Sequence, residues 1–166
     1  MKSALRVLSA LLLGTSVMSA EEIKEGSPMP DVSQKTDAGV EVNLAEEASS
    51  GYTLVYFYPK ADTPGCTKQA CSLRDAYEVL GEKGVKVFGV SADTVEKQAA
   101  FKKKYNLPFA LLADKNKAVI NAFGVPVRLK GFAARQAYLF KDGKLVWRDL
   151  KASMAEQASD VLAVVE

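Results

Sequence analysis

Histidine is absent from the 166 residues. That excludes Ser-His-Asp and Cys-His activation of a nucleophile, and every imidazole metal site. Cysteine is scarce: Cys66 and Cys71 are the only two, a poor basis for a zinc or iron–sulfur site. No metal site built on imidazole or thiolate is therefore expected. Net charge is also missing. Residues 1–20 hold two of the 22 basic residues, Lys2 and Arg6, and none of the 20 acidic ones, so the remainder carries 20 of each sign. A balance near zero leaves no electrostatic footprint for nucleic acid. The run Lys102-Lys103-Lys104 reads as a solvated helix face. Internal repeats and low-complexity tracts are lacking as well.

The apolar run from Val7 to Val17 is too short to span a bilayer. It follows the basic Lys2 and Arg6. It precedes the small residues around Ser19-Ala20 and then the acidic Glu21-Glu22. This is the pattern of a signal peptide over residues 1–20. The expectation is export to the periplasm or another extracytoplasmic compartment, with no stable membrane association once the signal is removed. No cysteine lies near the cleavage region, which argues against a lipid anchor. Residues 21–166 are one domain's worth, and the apolar fraction of the chain, 48%, suits a globular core.

Along that domain, residues 26–44 read as an entry loop and short hairpin turning at Asp37-Ala38-Gly39. Thr53 to Tyr58 is a β-branched and aromatic run that predicts a buried strand. Leu73, Ala76, Tyr77 and Leu80 recur at helical spacing, and Gly81 and Gly84 end that helix. Val85 to Val90 predicts a second strand. Asp93, with Glu96 three residues on, predicts a capped helix to about Tyr105. Phe109 to Leu112 is a short strand, and Asp114 opens a helix ending at Phe123-Gly124. After a loop from Val125 to Ala134, Arg135 to Phe140 and Lys144 to Arg148 form a hairpin about Asp142-Gly143. Ser153 and Glu156 cap a last helix with Val161, Leu162 and Val165 on its apolar face. The pattern predicts an α/β domain with a central mixed sheet flanked by helices.

The chemistry concentrates in Tyr58 to Cys71, YPKADTPGCTKQAC, where a strand hands over to a helix. Thr63 suits an N-cap and Pro64 the first helical position, which puts Cys66 in the first turn. There the helix dipole and free N–H groups favour an anion, so a thiol should ionise more easily, and the thiolate is the nucleophile. Cys71 follows five residues later. If both are helical, their Cα atoms lie roughly 8–9 Å apart, beyond the ~7 Å that a disulfide tolerates. The pair either never bonds or bonds only when the first turns unwind. From the residues alone Cys66 is either a core thiol or a reactive one. Cys71 is a packing residue, half of a static bridge that helix geometry opposes, or a partner reached by unwinding.

The stretch FYPKADTPGCTKQAC resembles the active site of peroxiredoxins, especially the subgroup called bacterioferritin-comigratory protein, or Q-type. Pro59, Thr63 and Cys66 fit the family pattern, and Cys71 fits the resolving cysteine of many Q-type members. The likeness runs from about Gly26 to the C-terminus. It implies a thioredoxin-like fold with an N-terminal hairpin. It implies a peroxidatic Cys66 and a resolving Cys71. By the same resemblance the Thr63 hydroxyl would contact the peroxide, Pro59 would shield the thiolate, and Gly65 would let main-chain N–H groups approach the substrate. Arg135 matches the arginine that assists the thiolate and orients the peroxide. The family usually has Thr or Ser two residues later, where this chain has Ala137. Arg128 and Arg74 compete for the role.

The resemblance implies an exported thiol peroxidase acting on hydrogen peroxide or small organic hydroperoxides. It implies recycling by a thioredoxin-like reductant and a monomeric chain. Two other classes stay open. One is a thioredoxin-like disulfide exchanger or electron carrier, although the spacing is C-x₄-C and not C-x-x-C. The other is a binding domain on the same scaffold.

Overall fold

A computed structural model describes residues 21–165. The segment read as a signal peptide, 1–20, lies outside the described residues. At the centre is the strand β3 (Tyr52–Phe57), whose six residues are all buried. It pairs in parallel with β4 (Val85–Ser91) and antiparallel with β6 (Gln136–Lys141). The edges are β5 (Ala110–Ala113), parallel to β4, and β7 (Lys144–Asp149), antiparallel to β6. The sheet order is β5-β4-β3-β6-β7. The predicted strand lies one residue away from the observed one. Its near-continuous apolar character has a simple cause: both faces of a central strand are covered.

Side chains alternate across β3 and build two cores. Leu54 and Tyr56 join Cys66, Ala70, Leu73 and Phe101 on one face. Val55 and Phe57 join Phe88, Val119, Ile120 and Phe123 on the other. The first face is covered by α2 (Pro64–Asp75), α3 (Tyr77–Glu82), α4 (Val95–Tyr105) and α6 (Gln157–Leu162). The second is covered by α5 (Ala118–Ala122). The N-terminal hairpin, β1 (Ser33–Lys35) with β2 (Glu41–Asn43), is a separate two-stranded sheet. It runs into α1 (Leu44–Glu47), capped by the Asn43 side chain. The β6–β7 hairpin turns through Asp142 and Gly143, both with positive φ, the backbone that an Asp-Gly tight turn supplies.

Several local expectations are corrected. The helix after Cys66 breaks at Ala76 (φ −98°, ψ 6°) into α2 and α3, with Gly81 inside α3. The apolar spacing of Leu73 and Leu80 continues across the break, so periodicity could not reveal it. Thr94, not Asp93, caps α4, accepting from the Lys97 N–H. Asp93 is drawn inward instead. Asp114 does not open α5, which starts at Ala118 after Lys117, although its carboxylate accepts from the Val119 and Ile120 N–H groups. Ser153 accepts from Ala155 and Glu156 N–H in a turn that precedes α6, and the Glu156 side chain caps nothing.

One glycine is fixed by space and not by conformation. A Cβ on Gly89 of β4 would lie 2.7 Å from Cζ and Oη of Tyr56 and 2.8 Å from Leu111 Cδ2. Tyr56 and Leu111 are fully buried, so neither can swing aside. Gly89→Ala is expected to destabilise the fold by about 1–3 kcal/mol, the usual cost of overpacking. Urea denaturation measures it.

Candidate active site

The loop from Pro59 to Thr63 joins β3 to α2, and the region of α4 grips it from two sides. Inside, the Ala61 N–H donates to Asp93 Oδ2 at 2.8 Å, and Ser91 Oγ donates to the same oxygen at 2.8 Å. Gln98 Nε2 donates to Ser91 Oγ at 2.9 Å, and the Tyr58 hydroxyl donates to Gln98 Oε1 at 2.5 Å. Burial pushes the Tyr58 phenol far above its ordinary range, although its hydrogen bonds to Ser91 and Gln98 oppose the shift. Tyr58 therefore stays a donor. Outside, Asp62 takes up a left-handed backbone (φ 56°). Its carboxylate meets Lys104 Nζ at 2.8 Å and the Tyr105 hydroxyl at 2.7 Å. The Lys104 and Tyr105 hydrogen bonds hold the Asp62 carboxyl below the usual carboxylate value.

Thr63 stands at the N-cap and Pro64 at N1, as the spacing predicts. The Thr63 hydroxyl does not cap the helix, however. It donates to Lys60 O at 3.0 Å, tightening its own loop, and its oxygen keeps acceptor capacity. Cys66 lies in the first turn of α2, 1% exposed. Arg135, just before β6, places Nη2 3.4 Å from Cys66 Sγ. Its Nη1 donates to Gln69 Oε1. Gly65 has ordinary φ, but a Cβ there would lie 2.5 Å from Met154 Sδ and 3.2 Å from Arg135 Nη2. A side chain at this position would have to displace both. Cys71 is half-buried further along the same unbroken helix, and both thiols are free.

The structure thus gathers Gly65 and Arg135 at the Cys66 sulfur. A cavity of about 530 Å³ opens beside them, lined by Pro59, Arg128, Arg135, Leu150 and Met154 among others. Of the competing arginines, Arg128 reaches the cavity wall. Arg74 is engaged by Asp75 and by Tyr105 O. Ala137, where the family usually has Thr or Ser, is fully buried in β6. Among the described residues no group of three or more acidic or cysteine side chains is arranged to hold a metal ion.

Sequence reasoning missed four participants. Gln69 sits one helical turn from Cys66, and i,i+3 spacing could have flagged it. Asp93 was read as a cap. Met154, and Gln157, whose side-chain oxygen accepts from Gln69 Nε2 at 2.8 Å, carry no local signal.

The AhpC/TSA family model matches residues 26–148. The chain is a peroxiredoxin of the AhpC/TSA family. Its similarity lies with the Bcp and Q kinds, so it is an enzyme of the atypical 2-Cys thiol-peroxidase class. It is 42% identical over 113 residues to a putative peroxiredoxin bcp of Coxiella burnetii, covering 68% of this chain and 74% of the relative. It is 40% identical over 138 residues to peroxiredoxin Bcp of Bacillus subtilis, covering 78% and 87%. Peroxidoxin BcpB of Mycobacterium tuberculosis superposes with a TM-score of 0.80 at 32% identity, covering 87% of this chain and 97% of that one. A bacterioferritin comigratory protein of Xanthomonas campestris gives 0.76 at 27% identity, covering 82% and 91%. The thioredoxin-like fold of this peroxiredoxin is shared with those structures.

The inner grip on the loop can be tested directly. Asp93→Ala leaves the buried Ala61 N–H without an acceptor. A loss of about 1–3 kcal/mol is expected on urea denaturation. Asp93→Asn, whose amide oxygen still accepts, should lose less.

Proposed function

We propose that this peroxiredoxin is an exported, monomeric enzyme that reduces hydrogen peroxide and small organic hydroperoxides through Cys66. The observation that carries the reading is the Cys66 sulfur, buried in the first turn of α2, with the Arg135 guanidinium at 3.4 Å. Positive charge and helix N–H groups converge on the atom that must become an anion. The Cys66 thiolate attacks the terminal peroxide oxygen. The O–O bond breaks, the leaving oxygen takes a proton as water or an alcohol, and Cys66 becomes a sulfenic acid. Arg135 steadies the charge that moves onto the oxygens. The Thr63 hydroxyl oxygen accepts from the peroxide O–H, Gly65 lets the peroxide reach main-chain N–H groups, and Pro59 keeps water from the sulfur.

Cys71 then attacks the sulfenic sulfur, water leaves, and a Cys66–Cys71 disulfide forms. Both cysteines lie in α2, so its first turns unwind for this step. A dithiol donor resembling thioredoxin returns both thiols. Export rests on the pattern of residues 1–20. Organic substrates are supported by the Xanthomonas campestris relative, described for its alkyl peroxide reduction activity.

Three measurements check the scheme. Arg135→Ala should lower the rate of Cys66 oxidation by hydrogen peroxide roughly a hundredfold or more, the scale of losing a charge-stabilising donor. After peroxide treatment, mass spectrometry of Cys71→Ser should find oxidation trapped on Cys66. In Cys66→Ser, Cys71 should stay largely reduced; rapid oxidation of Cys71 there would reverse the roles. Peroxide consumption with a dithiol donor should be catalytic, whereas a disulfide exchanger would leave peroxide untouched.

A further inference from the structure

Gln69 and Gln157 are both fully buried. Gln69 Nε2 donates to Gln157 Oε1 at 2.8 Å, and Gln69 Oε1 accepts from Arg135 Nη1. Arg135 Nη2 in turn faces Cys66 Sγ at 3.4 Å. Four side chains from α6, α2 and the start of β6 thus form one chain of contacts ending on the sulfur. We infer that Gln157 is a positioning residue, which fixes the orientation of the Gln69 amide and through it the aim of Arg135 at Cys66. The inference rests on the reading of Cys66 and Arg135 proposed above.

A carboxamide has one accepting and one donating end, and a guanidinium only donates. If the Gln69 amide flipped, its Nε2 would face Arg135 and both groups would lose their bond. Arg135, which only donates, claims the oxygen of Gln69, and Gln157 accepts at the opposite end, so the amide is held at both ends. Pinning one nitrogen of a planar fork aims the other. A long, free arginine side chain would otherwise spread over several rotamers.

Gln157 shows by its own bonding which end matters. Its Nε2 is buried and has no hydrogen-bond partner among the described residues. A buried donor left idle is costly, and an apolar side chain of the same size would fill the space without that cost. The accepting oxygen is what the position requires. Its place is also fixed: Gln157 opens α6, and the next residue, Ala158, donates its N–H to Ser72 Oγ on α2 at 3.3 Å. The start of α6 is thereby registered on the helix that carries Cys66.

The test compares second-order rates of Cys66 oxidation by hydrogen peroxide in the full chain. Gln157→Met keeps the volume and removes the acceptor, and should slow oxidation roughly tenfold, the scale of a modest misplacement. Gln157→Glu keeps an accepting oxygen and should recover most of the rate. In an Arg135→Ala background, Gln157→Met should add no further loss, because the two act in series. The relay is overturned if Gln157→Met reacts within twofold of the wild type. It is equally overturned if Gln157→Met costs the same factor with and without Arg135, which would mark a role in packing alone. If Arg135→Ala itself reacts like the wild type, the reading of Arg135 fails first and takes the relay with it.

Discussion

The contact between the Arg135 guanidinium and the Cys66 sulfur sets the terms for everything around it. A sulfur that is 1% exposed has little water to solvate a negative charge. The protein must supply that solvation with its own dipoles and a cation. The first turn of α2 provides unpaired N–H groups, and Arg135 provides the charge from the opposite side. Neither is enough by itself without exact placement, and most of the surrounding structure holds one or the other in place. At Gly65 the guanidinium and the Met154 thioether stand where a side chain would begin.

Placement comes from two different supports. The loop before Cys66 is held on the α4 side, where Asp93 accepts from its backbone and Lys104 and Tyr105 hold Asp62. The surface ion pair of Asp62 with Lys104 contributes little to stability. The buried acceptor Asp93 does more, because the N–H it satisfies has no water to turn to. The helix after Cys66 is held on the α6 side, through Gln69 with Gln157 and Ser72 with the Ala158 N–H. These polar contacts run through a core that β3 divides by strict alternation.

The same rigidity constrains the proposed second step. Cys66 and Cys71 share one intact helix, and their spacing forbids a bond while it stays wound. Unwinding the turns between the sulfurs also disturbs Gln69, which lies between them and holds α2 to Gln157 of α6. Reactivity toward peroxide and formation of the disulfide thus ask opposite things of α2. The first needs it closed around the sulfur, the second needs it open.

Sequence by itself determined whatever depends on neighbours a few residues away. Buried strands at Thr53 to Tyr58 and Val85 to Val90, the Thr63-Pro64 helix start, the first-turn position of Cys66 and the Asp142-Gly143 turn all follow from local sterics, period and hydrogen-bond rules. The resemblance to peroxiredoxins rested on the same short stretch and supplied Arg135 as a candidate. Tertiary structure decided what crosses between elements. It brought Arg135 to a sulfur 69 residues away, Gln157 to an amide 88 residues away, and Asp93 to a loop 32 residues away. It also turned Asp93 from the capping bond its local pattern promised. The reason is physical: a side chain capable of a local cap takes a distant partner when folding buries both, since a buried donor left alone costs more than an exposed cap gains.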